Sequence, residues 1–242
     1  GCHQKKQETT PPATFERLSM AARKVCTVIG YGPGIGHAAA AKFAKEGYSV
    51  AIVGRTASKL EAGAASIPNC RSYVADVTDS GALTQALGSI ESDLGAIDAV
   101  VYNAGSGTFK TYDKISMPDI DKAIGTNLKG LFTCAQVVCP KMEARGSGFV
   151  VVTGATASLR GKPFTASFAA GKAAQRSFTQ SLARQLGPKN VHVCYAIIDG
   201  GVGKSAGSID PDAIASAYYY LSTQDPSCWT FELDVRPSVE NW

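Results

Sequence analysis

The sequence has no Cys-x-x-Cys pair, and its seven cysteines are odd in number. This pattern disfavours both a zinc site and a disulfide framework, so no metal site is expected. Cysteines inside apolar stretches behave as small buried hydrophobic residues. Reduced thiols of this kind predict a cytoplasmic location.

The sequence also lacks long apolar runs and clusters of one charge. No apolar stretch reaches the length that crosses a bilayer, and the first residues are too polar for a secretory signal. Charged residues make up 18% of the chain, and the formal net charge is only +4, with the lysines and arginines scattered. We therefore expect neither membrane binding nor nucleic-acid binding.

The first 23 residues differ from the rest in composition. They are polar, contain two adjacent prolines and show no apolar periodicity, which predicts a disordered tail over residues 1–23. Met20 is a candidate for the natural start of the chain. Gly1 and Cys2 would suggest lipidation behind an initiator methionine, but Lys5 stands where that pattern prefers Ser or Thr. The remaining residues, 24–242, are enough for a single α/β domain.

Short β-prone apolar runs alternate with helical stretches along this domain. The predicted strands are 25–29, 49–53, 71–75, 97–102, 149–153, 191–198 and 229–235. The predicted helices are 34–45, 58–66, 83–94, 120–144, 164–186 and 211–221. This alternation predicts a doubly wound parallel α/β sheet, a Rossmann fold. In such sheets ligands bind beyond the carboxyl ends of the strands.

A glycine-rich segment, GYGPGIG, follows the first predicted strand and opens the first predicted helix. Glycines at this place let the backbone turn sharply and approach a pyrophosphate, whose charge is favoured by the helix N-terminus. A tight turn without a ligand would need the same residues. The position after the first strand favours a dinucleotide site, with cofactor contacts predicted at Gly30, Gly34, Ile35 and Gly36.

The spacing GxxxGxG in this segment resembles that of the short-chain dehydrogenase/reductase family. Four later motifs, in the expected order, strengthen the resemblance: Asp76-Val77 for the adenine, Tyr102-Asn103-Ala104-Gly105 for the family's NNAG, Asn127 in a helix, and Lys172 for the lysine of YxxxK. The resemblance implies cofactor contacts at Asp76, Val77, Asn103, Ala104, Gly105 and Lys172. It also implies an oxidoreductase that acts on a carbonyl/alcohol pair and assembles as a homodimer or homotetramer, with a small-molecule substrate that the sequence leaves unknown.

The end of the second predicted strand bears on which nicotinamide cofactor is used. An acidic residue there would bond the ribose hydroxyls and repel a phosphate, but the chain has Arg55. Its planar cation suits a 2′-phosphate, and Thr56 or Ser58 could add hydroxyl donors. An arginine that merely faces solvent at a helix start is the alternative. The sequence therefore favours NADP (NADPH) over NAD.

The catalytic positions depart from the family pattern. Phe168 stands where the family has the tyrosine that transfers a proton to or from the substrate, and Ala155 stands in the serine position. Asn127 and Lys172 are retained, so the catalytic set predicted from the resemblance is Asn127, Lys172 and Phe168. Lys172 acting through a water molecule, or Tyr102 at its strand end, could replace the missing phenol.

The loop after the sixth strand departs as well. The family's PGxVxT is replaced by DGGVGK from residue 199, although Val202 could still meet the carboxamide through its backbone. Two hypotheses stay open at this point. The first is an NADP-binding oxidoreductase with atypical proton delivery. The second is a catalytically silent nucleotide-binding protein with a role in sensing or assembly.

Overall fold

The computed structural model describes residues 23–239, so the predicted tail lies outside the described residues apart from Arg23. Seven strands are described: β1 Val25–Ile29, β2 Ser49–Gly54, β3 Cys70–Val74, β4 Ile97–Tyr102, β5 Gly148–Thr153, β6 Val191–Ile198 and β7 Glu232–Val235. Seven α-helices are described: α1 Ile35–Lys45, α2 Ala57–Ser66, α3 Ser80–Leu94, α4 Met117–Ile124, α5 Gly130–Arg145, α6 Ala166–Leu186 and α7 Pro211–Ser222.

All seven strands form one parallel sheet in the order β3-β2-β1-β4-β5-β6-β7. The chain builds outwards from β1 to β3, then crosses to the other side of β1 and continues from β4 to β7. The direction of winding therefore reverses between β1 and β4, which is where ligands bind in folds of this kind. This arrangement confirms the predicted doubly wound α/β fold.

Both faces of the sheet are covered by helices, as the apolar strands require. One buried cluster joins the sheet to α3, α5 and α6, and a second joins it to α1, α2 and α7. Successive β1 residues alternate between the clusters, with Val25 in the first and Cys26 in the second. Four cysteines are buried in these layers, namely Cys26, Cys134, Cys139 and Cys194.

Three elements differ from the sequence-based prediction by three residues or more. The helix predicted over 83–94 begins at Ser80, because the side chain of Asp79 caps it by accepting from the backbone N–H of Ala82. The helix predicted over 120–144 begins earlier, at Met117, because Ser116 and Asp119 form a capping box. It is also interrupted by a π-helical turn, Gly125–Lys129, which separates α4 from α5. The last strand is shorter than predicted because the backbone N–H of Thr230 bonds the Gln224 side chain. Within residues 23–239, no helix is long and apolar enough to cross a membrane.

Candidate active site

The glycine turn after β1 is fixed by contact with the end of β4. Gly30 has φ +90°, and a Cβ there would lie 2.3 Å from the backbone nitrogen of Ala104. The side-chain amide of Asn103 donates to the carbonyl oxygen of Gly30 at 2.9 Å. A Cβ on Gly36 would come within 3.0 Å of the same oxygen. Because both positions exclude a side chain, the backbone of β1 and that of β4 meet directly at the switch in winding.

A first cleft of about 290 Å³ opens at the carboxyl ends of β1, β2 and β4. Seven of the predicted cofactor residues line it: Gly30, Arg55, Asp76, Val77, Asn103, Ala104 and Gly105. Four other predicted contacts lie outside the lining of this cleft. Gly34 is the N-cap residue of α1, where no side chain bonds the helix N-terminus, and Ile35 and Gly36 are the first residues of that helix. Val202 pairs with Ile209 in an isolated bridge and also lies outside the cleft lining.

Arg55 stands at the mouth of the first cleft with its side chain 71% exposed. Its nearest carboxylate oxygen belongs to Asp76, at 4.0 Å. Asp76 accepts hydrogen bonds from the backbone N–H and the hydroxyl of Thr78, and the backbone bond is the main cause that lowers the pKa of Asp76. Such a long, exposed contact is weak. The guanidinium of Arg55 therefore remains largely available to a ligand.

Lys172 is only 4% exposed, although it carries an ammonium group. Its Nζ donates to the carbonyl oxygen of Thr153 at 2.8 Å and to Oε1 of Gln175 at 2.9 Å. Gln175 in turn donates to the backbone oxygen of Asn127 at 3.0 Å. Burial lowers the pKa of Lys172 to about 7, because desolvation disfavours the charged form. The lysine is thus held in place and is near its midpoint of protonation at neutral pH.

Asn127 lies in the π-helical turn and is fully buried. Its side-chain amide donates to the carbonyl oxygens of Ser106 at 2.6 Å and Ala123 at 2.8 Å. Its Oδ1 accepts from the backbone N–H of Ser106 at 3.4 Å. These bonds tie the helix to the loop after β4. Asn127 therefore positions the backbone that borders the first cleft.

A second cleft of about 210 Å³ opens at the carboxyl ends of β5 and β6. Phe168 and Ala155, the substituted tyrosine and serine positions, both line it. The ring of Phe168 lies 5.9 Å from Nζ of Lys172 and 5.3 Å from the ring of Phe109, measured to ring centroids. At the two positions that the family resemblance places beside a substrate, the side chains are thus a phenyl ring and a methyl group. Neither can transfer a proton.

Tyr102 was one candidate to replace the missing phenol, and the structure contradicts it. The tyrosine is fully buried, and its hydroxyl donates to the backbone oxygen of Thr126 at 2.7 Å. Burial raises the pKa of Tyr102 well above its ordinary value. Ser167, the neighbour of Phe168, is also occupied, because its hydroxyl bonds both backbone groups of Thr108.

Two features of the site were not predicted from the sequence. Gln175 follows Lys172 by three residues in α6, so helical spacing alone could have placed them on one face. The second feature is an ion-pair cluster beside the second cleft. Asp199, which is 7% exposed, lies 3.2 Å from Arg160 and 3.1 Å from Arg236. These residues come from distant segments, and no local pattern in the sequence predicts their meeting.

Two curated proteins illustrate what this chain is similar to. Oxidoreductase asL5 of Sarocladium schorii is 34% identical over 171 residues, which cover 70% of this chain and 69% of that protein. The 3-oxoacyl-[acyl-carrier-protein] reductase FabG of Thermotoga maritima is 31% identical over 174 residues, covering 70% of this chain and 71% of that protein.

Two solved structures are also similar to this chain. A short-chain dehydrogenase from Rhodopseudomonas palustris superposes with a TM-score of 0.81 and 32% identity, covering 88% of this chain and 98% of its own. A metagenomic short-chain oxidoreductase solved in complex with NADP has a TM-score of 0.80 and 26% identity, covering 90% of this chain and 98% of its own. The short chain dehydrogenase family model matches residues 24–206. With the fold, the glycine turn and the buried lysine all in agreement, the chain belongs to the short-chain dehydrogenase/reductase family of oxidoreductases.

Proposed function

We propose that the protein is an NADP(H)-dependent oxidoreductase that interconverts a carbonyl compound and an alcohol. The observation that carries the proposal is the position of Lys172 between the two clefts. A Cβ on Gly105, in the first cleft, would lie 3.3 Å from Nζ of Lys172, and the ring centroid of Phe168, in the second cleft, lies 5.9 Å from the same atom. A cofactor in the first cleft and a substrate in the second would meet beside this lysine.

The first cleft fits a dinucleotide that carries a 2′-phosphate. A Cβ on Gly32 or Gly34 would meet no protein atom within 4 Å, which leaves room for close approach of a pyrophosphate, and the N-terminus of α1 without a side-chain cap favours its charge. Arg55 offers the phosphate a largely exposed guanidinium, and the end of β2 itself carries no acidic residue. The cofactor contacts in this proposal are Gly30, Gly34, Ile35, Gly36, Arg55, Asp76, Val77, Asn103, Ala104, Gly105, Lys172 and Val202.

The nicotinamide, when bound, supplies or accepts the hydride, and the proton has to come from elsewhere. Phe168 and Ala155 carry no exchangeable proton. Lys172 has a pKa of about 7, which suits a group that gives and takes protons near neutral pH. We infer that Lys172 exchanges the proton with the substrate through a water molecule, while Asn127 holds the neighbouring backbone. A positioned acid contributes roughly 10²–10⁴-fold, so delivery through water makes turnover slow.

The test is a pair of measurements on one preparation. NADPH and NADH binding are measured by calorimetry, and turnover is measured on a panel of ketones, aldehydes and alcohols between pH 6 and pH 9. We expect tighter binding of NADPH and slow carbonyl reduction that declines as pH rises through about 7, because the acid form of Lys172 is then lost.

Binding without any turnover would contradict the enzymatic part and favour the silent nucleotide-binding alternative. Failure of both cofactors to bind would contradict the whole proposal. Assembly as a homodimer or homotetramer stays a prediction from the family resemblance, and so does action on a small-molecule substrate.

A further inference from the structure

The second cleft is walled by three phenylalanine side chains. Phe109 is 62% exposed, Phe164 is 50% exposed, and Phe168 packs against Phe109 with ring centroids 5.3 Å apart. Aromatic rings that are exposed to water lack the favourable free energy of burial. Several such rings around one cavity indicate a binding site for an apolar group. Since the rings line a concave cleft rather than a flat patch, a small molecule fits them better than a protein surface does.

The size of the cleft limits the ligand. Its volume of about 210 Å³ is below the roughly 300–1,000 Å³ typical of sites for drug-sized ligands. Flat rings pack well against tilted phenyl groups, whereas a puckered aliphatic ring makes fewer close contacts with them. A ligand with one or two aromatic rings is therefore the best match to these walls.

The rim of the cleft is positively charged. Arg160 and Lys162 both line it, and Lys162 has no carboxylate within 4.0 Å among residues 23–239. Asp199 also lines the cleft, but it is buried and lies between the guanidinium groups of Arg160 and Arg236, with Asp234 paired to Arg236 on the far side. The remaining charge at the rim is positive. It complements a negatively charged substituent on the ligand.

One hydroxyl in the wall has no partner. Oγ1 of Thr156 is buried and makes no hydrogen bond within the part of the chain that the structure describes. Thr156 lines the cleft next to Ala155, the position where the family's serine is absent. Because this oxygen is inaccessible to solvent, a ligand in the cleft does not reach it. The carbonyl group of the ligand is instead what the proposed carbonyl/alcohol chemistry requires.

From these observations we propose that the second cleft binds a small aromatic carbonyl compound that carries a carboxylate. The aromatic ring lies against Phe109 and Phe164, and the carboxylate faces Lys162 and Arg160. The proposal rests on the proposed function for the carbonyl group and for treating this ligand as the substrate, whereas binding itself needs no cofactor.

The experiment measures binding of 4-acetylbenzoate to the full-length protein by ligand-observed nuclear magnetic resonance titration. Two matched probes are compared with it: 4-acetylbenzamide, which lacks the charge, and 4-acetylcyclohexanecarboxylate, which lacks the flat ring. We expect 4-acetylbenzoate to bind at least about threefold more tightly than either, since each probe gives up one kind of contact. Equal affinity for the saturated probe would overturn the aromatic assignment, and equal affinity for the amide would overturn the charged one.

Three variants connect the binding to this cleft, and a fourth serves as the control. Phe109→Ala and Phe164→Ala are expected to weaken 4-acetylbenzoate about threefold to tenfold each, and Lys162→Ala to weaken it by a similar factor but to spare the amide. Tyr220→Ala is the matched control, because Tyr220 is 64% exposed on α7 and lines neither cleft. If the three cleft variants bind like the unaltered protein, or if no binding is measurable, the proposal is wrong.

The same samples separate this proposal from the proposed function. NADPH is titrated into each of them by calorimetry. Loss of 4-acetylbenzoate binding with intact NADPH binding overturns the ligand assignment alone. Binding of 4-acetylbenzoate without NADPH binding leaves the ligand assignment standing and contradicts the oxidoreductase.

Discussion

Lys172 is held firmly in place by hydrogen bonds and also has a lowered pKa. Its Nζ is hydrogen-bonded to Thr153 and Gln175, which holds the group in one place, yet burial brings its pKa down to about 7. An ammonium has three donors, so these two bonds leave one N–H for a ligand or a water molecule. The amide of Gln175 therefore fixes the lysine without using up its capacity to exchange a proton.

The residue-scale prediction concerns the two substituted positions. The double variant Phe168→Tyr with Ala155→Ser returns a phenol and a hydroxyl to the second cleft, where both positions already form part of the lining. We expect carbonyl reduction with NADPH to rise by roughly 10²-fold or more, because a positioned acid then replaces delivery through water. Steady-state kinetics on the substrate panel measure the gain.

Phe168→Tyr alone and Ala155→Ser alone are the matched controls for that pair. The tyrosine variant should show most of the gain, because only the phenol can donate to the developing alkoxide with a suitable pKa. An unchanged rate in the double variant, with NADPH binding intact, would show that more than these two groups separates the chain from a fast enzyme.

At the scale of single elements, we expect the end of β2 to decide which nicotinamide cofactor is preferred. Arg55→Ala should weaken NADPH about tenfold or more and leave NADH nearly unchanged, because only NADPH has a 2′-phosphate for the guanidinium. Arg71→Ala is the matched control, since Arg71 is also exposed, lies on the neighbouring β3 and is 3.8 Å from Asp93. Calorimetric titration of both cofactors into both variants gives the comparison. Equal losses for NADPH and NADH in Arg55→Ala would contradict the NADP assignment.

The prediction from the sequence was accurate for elements whose structure depends on neighbouring residues in the chain. The strand β1 with its glycine turn, and the motif residues at the ends of β3 and β4, are fixed by short-range geometry, so they were found at the right places. The interruption of the long helix was missed because α4, the π-helical turn and α5 share one continuous helical pattern. The burial of Tyr102 and the meeting of Asp199 with Arg160 depend on tertiary packing, which a local pattern does not encode.

At the scale of the whole molecule, a buried lysine with a low pKa affects stability. The unfolded chain keeps the proton of Lys172 up to the ordinary pKa of 10.5, whereas the folded protein releases it near 7. Between these values the unfolded state binds more protons, so this group makes the free energy of unfolding rise with pH. The penalty for burying the charged form is fully present below about pH 7 and disappears above about pH 10.5.

Lys172→Met tests this linkage, because methionine keeps the apolar length of the side chain and cannot titrate. From pH 7 to pH 9.5, the free energy of unfolding of the unaltered protein should rise relative to that of the variant, by an amount on the order of a few kcal/mol. Urea denaturation at both pH values measures the difference. Contributions from other titrating groups cancel in this comparison.

Lys59→Met is the control for that measurement, since Lys59 lies exposed on α2. The free energy of unfolding of Lys59→Met should change between the two pH values by the same amount as that of the unaltered protein. A constant gap between Lys172→Met and the unaltered protein would mean that Lys172 keeps an ordinary pKa in the folded state, and proton delivery by this lysine near neutral pH would lose its basis.

The π-helical turn at Gly125–Lys129 has a consequence for comparing this chain with others by alignment. A π turn holds one residue more than the α-helical turn it replaces, so α4 and α5 would stay in phase if one residue were lost between them. Asn127, however, would no longer reach both Ser106 and Ala123. A single-residue gap at this point between two aligned sequences would therefore signal a change at the active site within an unchanged fold.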